Sequence, residues 1–155
     1  MRIYYRYFLL LILLLLCGFP LTLSSQAATT AKEPITIGVM LPLHQLDGDG
    51  KRMTEYYRGM LMACNQLKTA GYTIHVQAWN VDVNTDIEQV LQREGVEKCN
   101  VIFGPLYSKQ VKPLADYCKS QRIRLVMPFS ITGNEVASNP YVFQVYQDGA
   151  RLTNA

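Results

Sequence analysis

The chain has 155 residues, 17% of them charged and 49% hydrophobic, with a formal net charge of +3 at pH 7. That length suits one domain. The positive balance belongs mostly to the amino-terminus: residues 1–27 hold Arg2 and Arg6 and no acidic residue, leaving 13 basic against 12 acidic side chains in the rest, with no basic stripe interleaved with aromatics, which excludes nucleic acid as an expected partner.

Arg2 and Arg6 precede an apolar run from Phe8 to Phe19 that Pro20 breaks, and small polar residues follow. This is the pattern of a secretory signal peptide over residues 1–27, with cleavage expected after Ala27, where Ser25 and Ala27 fill the small-residue positions. The run is short for a membrane span, which needs about 20 residues; an uncleaved anchor is the alternative. Cys17-Gly18 invites a lipid-attachment reading, but Leu16 stands where such a site has a small residue, so lipoprotein anchoring is not expected. Residues 28–34 then read as a flexible leader, and the folded part is expected to start at Ile35.

Ile35 to Leu41 is almost continuously apolar, as a strand must be when helices cover both faces of a parallel sheet. Pro42 stops it. A loop from His44 to Lys51, with Asp47-Gly48-Asp49-Gly50, leads to apolar positions 53, 56, 57, 60, 64 and 67, which fit one helical face. Gly59 inside that helix costs about 1 kcal/mol relative to alanine, and close packing against the sheet is the expected reason for it. Gly71 ends the helix, and Tyr72 to Trp79 alternates as a second strand, with Ile74, Val76 and Ala78 on one side and His75, Gln77 and Trp79 on the other. Thr85-Asp86-Ile87-Glu88 reads as a capping box opening a helix that Gly95 closes.

Asn100 to Ser108 is the stretch around which the rest is organised. Val101, Ile102 and Phe103 form a buried strand, Gly104-Pro105 a tight turn, and a helix pattern opens at Ser108 with Val111, Leu114, Ala115 and Cys118 on its buried side; Pro113 marks an irregular first turn. Ile123 to Met127 is a fourth strand ended by Pro128, and after a loop Tyr141 to Tyr146 is a fifth. Alternating strands and helices with short connections imply an α/β fold, a doubly wound parallel sheet of the Rossmann or flavodoxin-like kind. Strand order 2-1-3-4-5 follows, with the switch point between strands one and three.

In such sheets ligands lie beyond the carboxyl ends of the strands, so four strand ends should converge on one rim: Pro42 to His44, Asn80 to Asp82, Gly104 to Ser108, and Pro128 to Thr132. Ser108, at a helix start, offers a hydroxyl and nearby N–H groups suited to a carboxylate, or else serves as a plain helix cap. Ser130 and Thr132, one residue apart, would point into the same cleft or remain ordinary loop hydroxyls. Tyr107 and Phe129 would wall it with apolar surface or else pack into the core.

Catalytic patterns are mostly absent. His44 and His75 are not accompanied by metal-ligand spacing, and the Asp47 to Gly50 run lacks the later acidic ligands of a calcium loop, so neither metal nor cofactor is expected. No phosphate loop, dinucleotide fingerprint or nucleophile elbow is present, which argues against a familiar hydrolase, nucleotide-binding enzyme or dehydrogenase, and no enzyme is expected. The segment after residue 27 keeps Cys64, Cys99 and Cys118, an odd number. Cys64 and Cys118 fall on apolar helix faces and read as small buried hydrophobes, with one bridge plus one free thiol as the alternative.

Residues 35–155 resemble the first lobe of type I periplasmic binding proteins, the group of leucine/isoleucine/valine-binding protein. The resemblance rests on Ile37-Gly38-Val39-Met40-Leu41-Pro42-Leu43, Tyr57-Arg58-Gly59-Met60, Asp82, Ile102-Phe103-Gly104-Pro105-Leu106-Tyr107-Ser108, Met127-Pro128-Phe129-Ser130 and Pro140-Tyr141-Val142-Phe143. It implies two lobes closing on a small polar ligand, often an amino acid, in a periplasmic or other extracytoplasmic protein that hands the ligand to a membrane transporter or sensor. It points to Ser108, and after the next strand to Ser130 and Thr132, as contacts for the ligand's carboxylate and amino groups. His44 replaces the small residue common after the first strand in that group. The chain ends where a crossover to the second lobe would begin, so a fragment truncated before that lobe is expected. A cell-envelope scaffold of the same fold, tied to peptidoglycan synthesis or binding and holding no small ligand, is the competing reading.

Overall fold

A computed structural model of the chain describes residues 33–44, 48–129 and 135–145. The expected signal peptide, most of the leader, Ser130, Thr132 and Tyr146 lie outside the described residues. The elements are β1 (Ile35–Leu41), α1 (Gly48–Thr69), β2 (Ile74–Asn80), α2 (Ile87–Leu91), β3 (Val101–Phe103), α3 (Val111–Gln121), β4 (Arg124–Met127), α4 (Glu135–Ser138) and β5 (Val142–Gln144). Short 3-10 turns occupy Val96–Lys98 and Ser108–Gln110.

The five strands form one sheet in the order β2-β1-β3-β4-β5, and every pairing is parallel. Because side chains alternate along a strand, β1 feeds two cores. Ile37, Val39 and Leu41 pack with Met53, Cys64 and Ile74 beneath α1. Met40 faces the other way, toward Val90 of α2 and Leu114, Ala115 and Cys118 of α3, together with Ile102 and Leu125 from the central strands. Burying Ile102 or Leu114 fully contributes about 1.5–3 kcal/mol each. The near-continuous apolar character of β1 is thus the mark of a sheet covered on both sides.

Local chemistry sets the ends of the elements. After α1, the Tyr72 N–H donates to the Leu67 carbonyl at 3.1 Å and the Gly71 N–H to that of Lys68 at 3.0 Å, with Gly71 at φ 87°. That is the paired closure a left-handed residue permits, and glycine adopts it without strain. Gly104 is more constrained: its φ is 134°, it precedes a cis bond to Pro105, and a Cβ there would collide with the Met40 carbonyl oxygen. Here β3 leaves the sheet pressed against the backbone of β1.

Several local expectations need correction. The helix α1 begins at Gly48, so part of the anticipated 44–51 loop is its first turn. Gly59 does not approach the sheet; it is exposed, and a Cβ there would meet nothing within 4 Å. Leu67, assigned to the buried face, is 44% exposed. On the edge strand β2 the expected faces hold, Ile74 and Val76 toward α1 and Trp79 toward the α2–α3 core, but Ala78 is exposed and Trp79, on the otherwise polar face, is buried. The helix α2 is capped by Asp86, whose Oδ1 accepts from the Glu88 N–H at 3.0 Å, and not by Thr85. It ends at Leu91, well before Gly95, which instead caps the Val96–Lys98 turn. The loop between β4 and β5 includes the short α4, and β5 closes at Gln144.

Candidate functional site

Register places the strand tips. Val39 of β1 pairs with Phe103 of β3, and Phe103 with Val126 of β4. The ladders then continue past the strand ends, through Gly104 N–H to Val126 O and Val81 N–H to Leu41 O, both at 3.0 Å. With β2 on one side of β1 and β3 on the other, the strand order reverses between β1 and β3. The segments 42–44, 80–82, 104–108 and 128–129 therefore leave the sheet along one edge.

Of the six residues singled out from the sequence, four are described, and all four stand on that rim. Ser108 is exposed and opens the 3-10 turn that runs into α3. The cap position belongs to Tyr107 and no side chain caps the turn, so the plain-cap reading of Ser108 is corrected. Its hydroxyl has no protein partner among the described residues, and the first N–H groups of a helical turn have none within it. Tyr107 is half-buried and its hydroxyl donates to Asp49 Oδ2 at 3.4 Å, reaching the first turn of α1, where Asp49 also pairs with Arg52. Burial, then the charge and hydrogen bond of Asp49 and the charge of Asp82, push the Tyr107 phenol above its ordinary range, so it stays a donor at neutral pH. Phe129 is half-buried and meets the ring of Tyr56 edge-on, centroids 5.2 Å apart, in the α1-side core. His44 has an exposed side chain, and its backbone N–H donates to Asn80 Oδ1 at 3.2 Å.

Sequence reasoning missed the polar network beneath this rim. Asn80 Oδ1 also accepts from the Leu43 N–H at 2.7 Å, and its Nδ2 donates to Asp82 Oδ2 at 2.9 Å. The hydroxyl of Thr85, expected to cap a helix, instead accepts from the Asp82 N–H at 2.8 Å. Gln110 is only 2% exposed, and its Nε2 donates to the carbonyls of Asp82 and Thr85 at 2.8 and 3.2 Å. Its position one turn before Leu114, in phase with the apolar face of α3, is the signal that would have marked it as buried. Asp82 Oδ1 and Gln110 Oε1 are buried without a partner among the described residues. A cavity of about 290 Å³ opens beside this network, lined among others by Asn84, Thr85, Glu88, Lys109 and Pro113, and none of the four described predicted residues lines it.

Cys64, Cys99 and Cys118 are all free and buried, as small apolar side chains. Burial pushes the Cys99 thiol up to about 11 and the Cys118 thiol up to about 12, so neither is a nucleophile at neutral pH. Among the described residues no group of three or more His, Cys, Asp or Glu side chains converges to hold a metal, and no helix is long and apolar enough to cross a membrane.

No protein-family model matches the chain, and no curated protein does. Solved structures do. An ABC transporter substrate-binding protein from Desulfitobacterium hafniense is 17% identical at a TM-score of 0.57, the match covering 72% of this chain and 34% of that one. The branched-chain amino acid transporter substrate-binding protein LivJ from Streptococcus pneumoniae, in complex with isoleucine, is 16% identical at 0.56, covering 72% and 33%. An ABC transporter solute-binding protein from R. palustris, in complex with 4-hydroxybenzoate, is 17% identical at 0.55, covering 72% and 31%. The chain spans about a third of the length of the structures it matches. At these identities the likeness establishes the fold, which is that of one α/β lobe of the type I periplasmic binding proteins.

Proposed function

We propose that the chain is the ligand-binding lobe of an exported, non-enzymatic solute-binding protein that captures a small polar ligand such as an amino acid for transport or sensing, in the periplasm or another extracytoplasmic space. The observation that carries this reading is the shared edge of β1, β3 and β4 at the switch point, with the exposed Ser108, at the start of its turn, standing on it. Unpaired donors at a helix start favour a carboxylate, and Tyr107 and Phe129 give the rim apolar surface beside them. Ser108, Tyr107, Phe129 and His44 are the described residues assigned to ligand contact; Ser130 and Thr132 are assigned to the same loop by sequence alone. The structural neighbours favour solute binding in general, since each is a substrate- or solute-binding protein, and they lend nothing to the envelope-scaffold reading.

A thermal-shift screen of the chain against the amino acids and small aromatic carboxylates tests it. A ligand at 100 times its Kd adds about 2.7 kcal/mol to stability. A reproducible rise with one class, reduced by Ser108→Ala, supports the assignment; no rise with any small solute, together with co-purification of a cell-wall synthase, would favour the scaffold.

A further inference from the structure

The two loops that flank the switch point are tied together through the β2–α2 connection. Asn80 Oδ1 accepts from two successive backbone N–H groups, those of Leu43 and His44, while Asn80 Nδ2 donates to Asp82 Oδ2. This settles which way the amide faces, since the reverse would oppose its NH2 to two donors and its carbonyl to a carboxylate. Asp82 is held in turn. Its N–H donates to Thr85 Oγ1, and its carbonyl accepts from the Thr85 N–H at 3.0 Å and from Gln110 Nε2 at 2.8 Å. Gln110 is the last residue of the turn that begins at Ser108. One hydrogen-bonded chain thus runs from the His44 amide, through Asn80 and Asp82, to the segment that carries Tyr107 and Ser108.

We propose that Asn80, aimed by Asp82 and anchored through Gln110, is a positioning residue that sets the Leu43–His44 backbone relative to the Tyr107–Ser108 loop. It also withdraws two backbone donors from the rim, so an anionic ligand group finds its backbone donors on the Ser108 side of the crevice and not after β1. The second statement rests on the solute-binding reading; the first does not.

The test uses the whole chain labelled with ¹⁵N, without ligand, comparing amide shifts and hydrogen exchange in the wild type, Asn80→Ala, Asn80→Leu and Gln110→Met. Both Asn80 variants should speed exchange at Leu43 and His44 at least 10-fold and move both signals upfield, with Val39 and Ile102 in the sheet unchanged. Asn80→Leu keeps the side-chain volume, so the result does not depend on the alanine variant folding. Gln110→Met should move the same two signals from the far end of the chain of bonds. Unchanged exchange and shift at Leu43 and His44 in a folded Asn80 variant would overturn the positioning role, and the same result in Gln110→Met would overturn the coupling between loops. Because no solute is present, a negative result here leaves solute binding standing, and a chain that binds no solute leaves the brace standing.

Discussion

Replacing Gly104 by alanine strikes the point where β3 leaves the sheet against β1. The φ of 134° is a conformation that residues with a Cβ rarely adopt, and holding alanine there costs about 1–3 kcal/mol. The added Cβ would also overlap the Met40 carbonyl oxygen and stand 3.1 Å from its carbon, which is backbone and cannot swing aside. One strand must shift, an overpacking cost of about 1–3 kcal/mol more. Together these remove about 2–6 kcal/mol from a domain whose total stability is about 5–15 kcal/mol, enough to lower Tm by about 10 °C or more. Urea and thermal unfolding followed by circular dichroism measure it. An unchanged midpoint for Gly104→Ala would refute the close approach of the two strand tips, and with it the geometry of the rim.

Gly59→Ala should do the opposite, raising stability by about 1 kcal/mol in the same assay, because the position is helical, exposed and open. Asn139→Ala should cost about 1–3 kcal/mol, since its buried side chain donates to the Ala115 carbonyl at 2.9 Å and accepts from the Tyr141 N–H at 3.0 Å, leaving both unanswered. Stability should also fall in alkali. The thiols of Cys99 and Cys118 titrate from an ordinary value of 9.0 up to about 11 and about 12 in the fold, so above pH 9 the unfolded chain holds fewer protons than the native one. Their contribution is complete below pH 9 and is lost as pH rises through 11 and 12, an effect that denaturant midpoints measured from pH 8 upward will show and that Cys118→Ala will diminish.

Architecture was legible because it follows from periodicity. Continuous apolar strands alternating with one-faced helices leave few topologies once crossovers must be short and right-handed, and the order 2-1-3-4-5 emerged from those rules. Boundaries and caps were less legible because neighbouring residues compete for the same role. Asp86 took the cap that Thr85 was expected to fill, since Thr85 already holds the Asp82 N–H. Trp79 kept the alternation of β2, facing the α2–α3 core opposite Ile74 and Val76, but its burial beside exposed His75 and Gln77 was not legible, because on an edge strand only a large ring reaches far enough inward to be covered. At the site, the strand tips told where Ser108, Tyr107, Phe129 and His44 would gather. The brace of Asn80, Asp82 and Gln110 did not show, because its bonds join segments 25 to 37 positions apart and no spacing rule links them.

The most direct measurement is an NMR titration of the labelled chain with L-isoleucine and, separately, 4-hydroxybenzoate, mapping every amide that moves, since even millimolar binding by one lobe is visible this way. If the carboxyl edge of β1, β3 and β4 is the ligand face, the amides that shift will cluster at His44, Tyr107, Ser108 and Phe129. Shifts gathered instead around Ile35, Val101 and Arg124 at the opposite edge of the sheet would contradict it.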